Sequence, residues 1–309
     1  MGSEASARVR PGGVNANARG RAALGAKSMD LLGWMMHSGQ DMIPPMMDGS
    51  DPIECFLDLL ARKNRGLLLL DYDGTIAPFV PHRHAAQPAD GLGELIERLL
   101  AQKGTRIVFV TGRPCRELVL VSGLRTPVEI WGCHGREHLD LAGRLAIVGV
   151  SPAASAALGH AAAVARRILP VEALETKTGC VTFHCRALAS PNVAAIEEQL
   201  RRAWAPLAID GELLLKDFDG GIELCAPGRT KGDAVEDLLA CYGREYDAVA
   251  FLGDDLTDED GFRALKGRGL CLLVRNEPRE TLADARISMP EGIAQFLGGW
   301  HAALQGAAS

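Results

Sequence analysis

The 309-residue sequence lacks an apolar run of roughly 18 residues, so it predicts no transmembrane span. It also has no C-x-x-C pair and no zinc-like spacing among its eight cysteines, which favours buried, reduced thiols in a cytoplasmic protein. Basic residues are not in excess: the net charge of −6 argues against a nucleic-acid partner. An anionic substrate would therefore need a local positive site, formed by a metal ion or by particular lysines.

Apolar residues make up 47% of the chain and charged residues 23%, which is enough for a globular body with a sizeable core. No internal repeat is evident. The N-terminal 28 residues are rich in Ala, Gly and Arg, and we expect residues 1–50 to form a disordered extension or to reflect an overlong start. A transit-type leader is an alternative, and so is N-myristoylation, whose loose pattern Gly2 and Ser6 fit.

Short apolar segments alternate with helical patterns of about ten residues along both ends of the chain, which predicts an α/β fold with a doubly wound parallel sheet. The strand candidates are LLLL (67–70), RIVFV (106–110), VEIWG (128–132), AVAFLG (248–253) and LCLLV (270–274). Such sheets bind ligands at the carboxyl ends of their strands.

The middle of the chain, roughly residues 139–226, has a different pattern, in which Ala-rich helical segments alternate with segments of strand character. It predicts a small α+β cap inserted into the parallel-sheet domain. We therefore expect residues 51–138 and 227–309 to form the core domain and residues 139–226 to form the cap.

The segment DYDGT (71–75) follows the first apolar strand and places two aspartates one residue apart. In an extended chain, Asp71 and Asp73 project to the same side, and Gly74 permits a tight turn. The two carboxylates repel each other unless a cation lies between them or one of them holds a proton. A calcium loop is the alternative interpretation, but its twelfth position is His82 instead of a glutamate, and a strand precedes it.

Three further motifs follow in order, and each has an ordinary explanation when taken alone. The segment VTGRP (110–114) can form a phosphate cradle, or Thr111 can simply cap a helix. Lys231 precedes a helix, where a lysine is usually a solvated surface group. In FLGDDLTDED (251–260), the later acids suit a helix N-terminus, whereas Asp254 and Asp255 emerge directly from a buried strand, where clustered acids are costly without a cation.

The order of these four motifs resembles the signature of the haloacid dehalogenase-like phosphatases, over nearly all of residues 66–300. The resemblance implies a Rossmannoid core in which Asp71 attacks phosphorus and forms an aspartyl-phosphate. Asp73 would act first as general acid toward the leaving sugar oxygen and then as general base toward water. Thr111 and Lys231 would hold the oxygens of the phosphoryl group.

The same resemblance implies Mg²⁺ as the cofactor. Its ligands would be the carboxylates of Asp71 and Asp254 and the main-chain carbonyl of Asp73. Asp255 and Asp258 would support the metal ion or Lys231 from behind.

Several strings are more specific and look like the trehalose-6-phosphate phosphatase family: GCHGRE (132–137), LETKTGCVTFHCR (174–186), GIELCAPGRTKGDA (221–234) and FLGDDLTDEDGF (251–262). The family implies a cytoplasmic, monomeric enzyme that converts trehalose 6-phosphate to trehalose and phosphate in the last step of trehalose biosynthesis. The trehalose-phosphate synthase would be its functional partner. The substrate-binding residues it implies are Gly112, Arg113, His134, Arg136, Glu137, Glu175, Lys177, His184, Arg186 and Glu223.

Two positions depart from the pattern of that family, which often has Lys where this chain has Asp219 and Pro where it has Ala226. Lys216 could substitute for the missing lysine. Other phosphosugar phosphatases, of the sucrose-phosphate or mannosylglycerate-phosphate type, would share the catalytic motifs and differ only in the cap. A non-catalytic sugar-phosphate sensor is a further alternative, but all four motifs here carry reactive residue types.

Overall fold

The structure, a computed structural model, describes residues 50–188, 192–209, 212–218 and 220–306. The N-terminal extension predicted for residues 1–50 lies, apart from Ser50, outside these residues, and so does Asp219. Among the helices in the described part of the chain, none is both long enough and apolar enough to cross a membrane.

An eight-stranded sheet carries the first and last parts of the described chain, in the order β12-β11-β10-β1-β2-β3-β4-β5. Its strands are β1 (Gly66–Leu70), β2 (Thr105–Val110), β3 (Glu129–Gly132), β4 (Glu137–Leu139), β5 (Leu145–Ile147), β10 (Ala248–Gly253), β11 (Leu270–Val274) and β12 (Ala285–Ile287). All neighbours from β12 to β3 are parallel, whereas β4 and β5 add an antiparallel edge. The predicted parallel α/β sheet is confirmed, with β1 at its centre.

Helices cover both faces of this sheet because its central strands are apolar on both sides. They are α1 (Pro52–Lys63), α2 (Leu92–Leu100), α3 (Cys115–Val121), α6 (Lys231–Tyr242), α7 (Asp258–Leu265) and α8 (Glu291–Gly306). Leu68 and Leu70 of β1 pack in one cluster with α1, α2, α3 and α8, while Leu67 and Leu69 pack in another with α6 and α7.

A second, four-stranded antiparallel sheet is formed by the middle of the chain, in the order β6-β7-β9-β8. Its elements are β6 (Leu174–Lys177), β7 (Cys180–His184), β8 (Leu214–Phe218) and β9 (Gly221–Cys225), with the helices α4 (Pro152–Ala165) and α5 (Val193–Ile209). One face packs on α4 and α5 through a separate apolar cluster that includes Phe183 and Trp204. The other face carries polar side chains, because residues two apart on a strand point the same way.

The predicted boundary between core and cap, at residues 138 and 139, falls inside β4. β5 lies in the predicted cap segment but pairs with β4 in the larger sheet. The division into a core domain and an inserted cap stays a prediction.

Two cysteines lie on the polar face of the smaller sheet. Cys180 of β7 and Cys225 of β9 are directly opposite in the register and form a disulfide. This disulfide corrects the expectation of reduced thiols. The 45 residues that separate this pair do not reveal that the strand register brings them together.

A buried charged cluster joins β2, β3, β4 and α6 away from the polar face. Glu129, only 2% exposed, pairs with Arg106, and its other oxygen lies 2.9 Å from His138 Nε2. Tyr242 donates to Glu129 over 3.0 Å, and the Trp131 ring stacks on His138. The Glu129 carboxylate therefore links three strands and a helix.

Candidate active site

Asp71 directly follows β1, whose two neighbours in the sheet, β10 and β2, both run parallel to it. The amide of Asp71 donates to the carbonyl of Leu252 in β10 over 2.9 Å, which continues the ladder to the end of the strand. Gly74 follows with φ of +82°, and a Cβ there would lie 2.2 Å from Oδ2 of Asp254. Only glycine fits this turn, so the turn itself brings the chain after Asp71 against the end of β10.

Lys231 lies between two carboxylates at the start of α6. Its ammonium donates to Asp71 over 2.6 Å and to Asp258 over 2.7 Å, and all three side chains are buried. Burial opposes the positive charge, yet the neighbouring carboxylates of Asp258 and Asp71 raise the pKa of Lys231 above its ordinary value. The lysine therefore stays charged at neutral pH.

Asp254 completes a group of three buried carboxylates. Oxygens of Asp71, Asp254 and Asp258 lie within 4.8 Å of one another. Asp258 Oδ2 accepts from the amides of Asp254 and Asp255 over 3.0 and 2.9 Å, which holds the loop after β10 around that carboxylate.

The charges in this group favour a cation. Burial raises the pKa of Asp71 to about 7, and burial together with the charge of Asp71 raises the pKa of Asp254 well above its ordinary value. The single positive charge of Lys231 does not neutralise the three carboxylates. Oxygen ligands at this spacing suit a hard divalent cation such as Mg²⁺.

The loop after β2 forms the next part of the site. The amide of Thr111 continues the sheet by donating to Trp131, and its buried hydroxyl accepts from the amide of Arg113 over 3.2 Å. A Cβ at Gly112 would lie 2.8 Å from the ring of His134. His134 itself has φ of +55° and donates its amide to the carbonyl of Thr111, so the loop after β3 is folded back against this one.

Asp73 is held by a guanidinium group. Arg113 donates from Nε to Oδ2 over 2.5 Å and from Nη2 to Oδ1 over 2.6 Å, in a bidentate pair. In this state both oxygens of Asp73 accept hydrogen bonds, and neither is free to carry a proton to a leaving group.

The smaller sheet contributes a second charged cluster from its polar face. Oε1 of Glu223 pairs with Lys177 over 2.6 Å and accepts from the Thr182 hydroxyl over 2.7 Å. His134 lies 3.1 Å from Oε2 of the same carboxylate. Burial opposes ionisation, but Lys177 and His134 hold the pKa of Glu223 well below its usual range. Beside this cluster, Glu175 lies 2.7 Å from His184.

A cavity of about 520 Å³ lies between the carboxyl ends of the larger sheet and the polar face of the smaller one. Most of the predicted site residues line it: Asp71, Asp73, Thr111, Gly112, Arg113, His134, Glu175, Lys177, His184, Arg186, Glu223, Lys231 and Asp255. Asp254 and Asp258 lie just behind the wall, within the carboxylate group. The structure thus brings most of the catalytic and sugar-contacting candidates to one cavity.

Arg136 and Glu137 do not line this cavity. Arg136 donates to the main-chain carbonyls of Ala226 and Pro227 over 2.6 and 2.7 Å, and Glu137 accepts from Cys115 and Thr178. Both side chains lie where the two sheets meet, as expected for the junction between core and cap, and their role in substrate binding stays a prediction. Lys216, the suggested substitute, lies opposite Glu223 in the register of β8 and β9 and outside the cavity wall.

Several residues that the sequence did not single out also line the cavity, among them Arg83, Phe79 and Glu117. Arg83 begins a short 3-10 helix, Arg83–Ala85, in the connection between β1 and α2, and it pairs with both Glu117 and Glu175. Phe79, in the same connection, lies under the guanidinium of Arg186, 3.6 Å from ring centre to carbon. Glu117 lies in the first turn of α3, and Arg113 lies two residues before that helix. No local pattern in the sequence marked Glu117 as a cavity residue.

Comparison with known proteins finds a matching family model and several similar sequences. A family model described as Trehalose-phosphatase matches residues 69–281. Trehalose 6-phosphate phosphatase RA3 of Zea mays is 30% identical over 265 residues, which cover 77% of this chain and 71% of the maize protein. The bifunctional trehalose-6-phosphate synthase/phosphatase of Thermoproteus tenax is 32% identical over 243 residues, and the match spans 77% of this chain but 32% of that protein.

Solved structures support the fold. The C-terminal domain of C. albicans trehalose-6-phosphate phosphatase aligns with a TM-score of 0.70 at 21% identity, covering 83% of this chain and 97% of that one. A haloacid dehalogenase-like hydrolase from B. subtilis aligns with a TM-score of 0.52 at 16% identity, covering 75% of this chain and 98% of that one. The larger sheet with its helices is a haloacid dehalogenase-like Rossmannoid core.

Proposed function

The chain belongs to the trehalose-phosphatase family, and from that premise we propose that it hydrolyses trehalose 6-phosphate to trehalose and phosphate in a Mg²⁺-dependent reaction through an aspartyl-phosphate on Asp71. One observation carries the proposal. Asp71, Thr111 and Lys231 line the phosphate end of a cavity whose other end is walled by the charged face of the smaller sheet. A phosphosugar has this polarity, with a dianion at one end and hydroxyls at the other.

In the first half-reaction, a carboxylate oxygen of Asp71 attacks phosphorus while the bond from phosphorus to the sugar oxygen breaks. Lys231 holds Oδ1 of Asp71, which leaves Oδ2 for attack, and its charge also stabilises the phosphoryl oxygens. The leaving sugar oxygen takes a proton from Asp73. This requires one oxygen of Asp73 to be released from Arg113, so substrate entry must loosen the bidentate pair.

In the second half-reaction, Asp73 takes a proton from water, and the water oxygen attacks the aspartyl-phosphate. Phosphate leaves and the Asp71 carboxylate is restored. The hydroxyl of Thr111, which lines the cavity, would bind the phosphoryl oxygens in both half-reactions.

The residues present fit Mg²⁺. Asp71 and Asp254 would hold it together with the main-chain carbonyl of Asp73, whereas both oxygens of Asp258 already accept hydrogen bonds. When bound, the ion would supply positive charge beside the phosphoryl oxygens and relieve the repulsion within the carboxylate group.

The test is phosphate release from a panel of phosphosugars. We expect trehalose 6-phosphate to be the preferred substrate over sucrose 6-phosphate, mannosylglycerate phosphate and glucose 6-phosphate, with activity lost in EDTA and restored by Mg²⁺. Preference for another disaccharide phosphate would favour the sister phosphatases. Binding of a phosphosugar without turnover would favour the sensor.

The mechanism predicts that Asp71→Asn lowers turnover by roughly 10³-fold or more, because an amide is not a nucleophile toward phosphorus. The near-isosteric change should leave the thermal unfolding midpoint close to that of the wild type. Asp140→Asn, at a partly exposed acid in the β4–β5 hairpin outside the cavity wall, is the matched control and should keep full activity. Normal turnover by Asp71→Asn would contradict the assignment.

The remaining features stay proposals. We infer a cytoplasmic monomer whose substrate comes from a trehalose-phosphate synthase, an activity joined to a phosphatase in the name of the T. tenax relative. Light scattering tests the monomeric state, and cell fractionation tests the cytoplasmic location. The Cys180–Cys225 pair bears on location, since disulfides are rare in reducing compartments, and thiol labelling in cell extracts would show its state.

A further inference from the structure

A line of alternating charges runs along one wall of the cavity. It starts at Asp73 and continues through Arg113, Glu117 and Arg83 to Glu175, and we refer to these five residues as the charge ladder. The Asp73–Arg113 contact is 2.5 Å, Arg113 and Glu117 are 4.0 Å apart, and Arg83 contacts both Glu117 and Glu175 directly. All five line the cavity. The ladder therefore joins the proposed acid-base residue on the larger sheet to a carboxylate on the smaller one.

The ladder contains buried polar atoms that have no hydrogen-bond partner among the residues the structure describes. They are Arg83 Nε, Arg113 Nη1 and Glu175 Oε1. Their side chains are 20%, 7% and 10% exposed. Buried donors and acceptors are normally satisfied, and leaving one unpaired is costly. Two donors and one acceptor along a cavity wall match sugar hydroxyls, each of which can both accept and donate.

Arg83 is the link on which the ladder depends. It begins the short 3-10 helix between β1 and α2, and it pairs with two carboxylates. Glu117 lies on α3, which packs on the larger sheet, and Glu175 lies on β6 of the smaller sheet. Glu175 is also held by His184. Burial opposes ionisation of Glu175, but the charges of Lys177, Arg83 and His184 hold its pKa well below the usual range. Without Arg83, nothing in the ladder would connect Glu175 to the core.

We propose that Arg83 is a sugar-positioning residue: it fixes Glu175 relative to Asp73, and its Nε donates to a hydroxyl of the sugar. The proposal rests on the proposed function, in that the ligand is a phosphosugar. It assigns Arg83 to recognition of the sugar and to none of the bond-making steps.

The test compares a substrate that has a sugar with one that has none. We expect Arg83→Met to lower kcat/KM for trehalose 6-phosphate by about tenfold or more, chiefly through KM, as for loss of hydrogen bonds to charged groups. The kcat/KM for p-nitrophenyl phosphate, which has no sugar, should stay close to that of the wild type. The ratio of kcat/KM for trehalose 6-phosphate to kcat/KM for p-nitrophenyl phosphate should therefore fall by a similar factor. Arg83→Lys should recover part of the loss, because an ammonium keeps the charge but not the fork that bridges two carboxylates. Arg65→Met, at an exposed pair with Glu245, is the control and should match the wild type.

A double-mutant cycle tests the linkage within the ladder. If Arg83 acts through its neighbours, then Arg83→Met and Glu117→Gln together should raise KM by much less than the product of their separate effects. An unchanged substrate ratio in Arg83→Met overturns the proposal, and so do multiplicative effects in the cycle. If the wild type does not hydrolyse trehalose 6-phosphate, the proposed substrate fails. The same ratio, measured with whichever phosphosugar the panel identifies, still decides the role of Arg83.

Discussion

Lys231 occupies a position that is unfavourable for a cation on local grounds. It is the first residue of α6, where the helix dipole is positive, and it is almost completely buried. Its two hydrogen-bonded carboxylates, Asp71 and Asp258, offset both penalties. Removing the ammonium would leave three buried acids with no positive partner, so this residue matters to stability as well as to chemistry.

We predict that Lys231→Met lowers turnover by about 10²-fold or more and lowers the free energy of unfolding by about 3–5 kcal/mol in EDTA at pH 7. Mg²⁺ should recover part of the stability but little of the activity, because a divalent cation can neutralise the acids without replacing the donor. Urea unfolding and phosphate release measure the two effects. Lys266→Met, at an exposed pair with Asp284, should change stability by less than about 1 kcal/mol. Wild-type turnover in Lys231→Met would exclude its proposed role.

The catalytic residues could be predicted because each follows a strand or begins a helix at a place where its chemistry is locally unusual. The two aspartates of DYDGT and Asp254 emerge from buried strands, and that anomaly is visible in the sequence. Arg83 carries no such signal. It begins a three-residue 3-10 helix in the connection between β1 and α2. Its role depends on the distance to β6, which is set by the packing of the two sheets.

Among the elements, β3 depends most on buried charge. Its Glu129 is tied to β2 by Arg106, to β4 by His138 and to α6 by Tyr242. Burial alone would raise the pKa of Glu129, but hydrogen bonds from His138 and Arg106 lower it to about 2. A carboxyl whose folded-state pKa lies below its ordinary value of 4.5 stabilises the fold above that value. That stabilisation is lost as the pH falls from 4.5 towards 2.

We therefore predict that Glu129→Gln is less stable than the wild type by about 3 kcal/mol at pH 7, because it leaves Arg106 without its buried partner. Its stability should also fall less steeply than that of the wild type between pH 4.5 and pH 2. Urea titrations across this range give both quantities. Glu245→Gln, in the exposed pair with Arg65, should lose less than about 1 kcal/mol and keep the wild-type pH profile. An identical pH profile for Glu129→Gln and the wild type would refute this account.

Central elements were easier to predict than edge elements. The five apolar strand candidates are all strands of the larger sheet, because burial on both faces requires continuous apolar runs. The hairpin of β4 and β5 was missed: its strands have three residues each, and β5 is exposed throughout, so no apolar pattern marks it. The pairing of Cys180 with Cys225 was missed because it depends on strand register.

On the scale of the whole molecule, the apolar interior is divided. Trp204 packs in one apolar cluster with residues of the smaller sheet. Trp300 packs in another with α1 and with the face of the larger sheet that carries Leu68 and Leu70. Both indole side chains are fully buried. Separate clusters allow the two sheets to differ in stability, which the predicted division into core and cap also requires.

We predict that Trp204→Ala and Trp300→Ala each remove about 3–5 kcal/mol, but from different parts of the molecule. In hydrogen exchange, Trp204→Ala should lose protection in β7 and β9 and keep it in β1 and β10. Trp300→Ala should do the reverse or unfold the whole molecule. If Trp204→Ala lowers protection equally in all four strands, the two sheets unfold as one unit and the predicted division fails.

The central position of β1 also has a consequence for biosynthesis. β1 pairs with β10, which follows roughly 180 residues later. At ~5–20 residues per second, a ribosome needs roughly 10–40 s to supply that partner. During this interval a wholly apolar strand has one open edge while the rest of the nascent chain emerges, and it is exposed to aggregation. Newly made chains should therefore depend on chaperones that shield such strands until translation has passed residue 253.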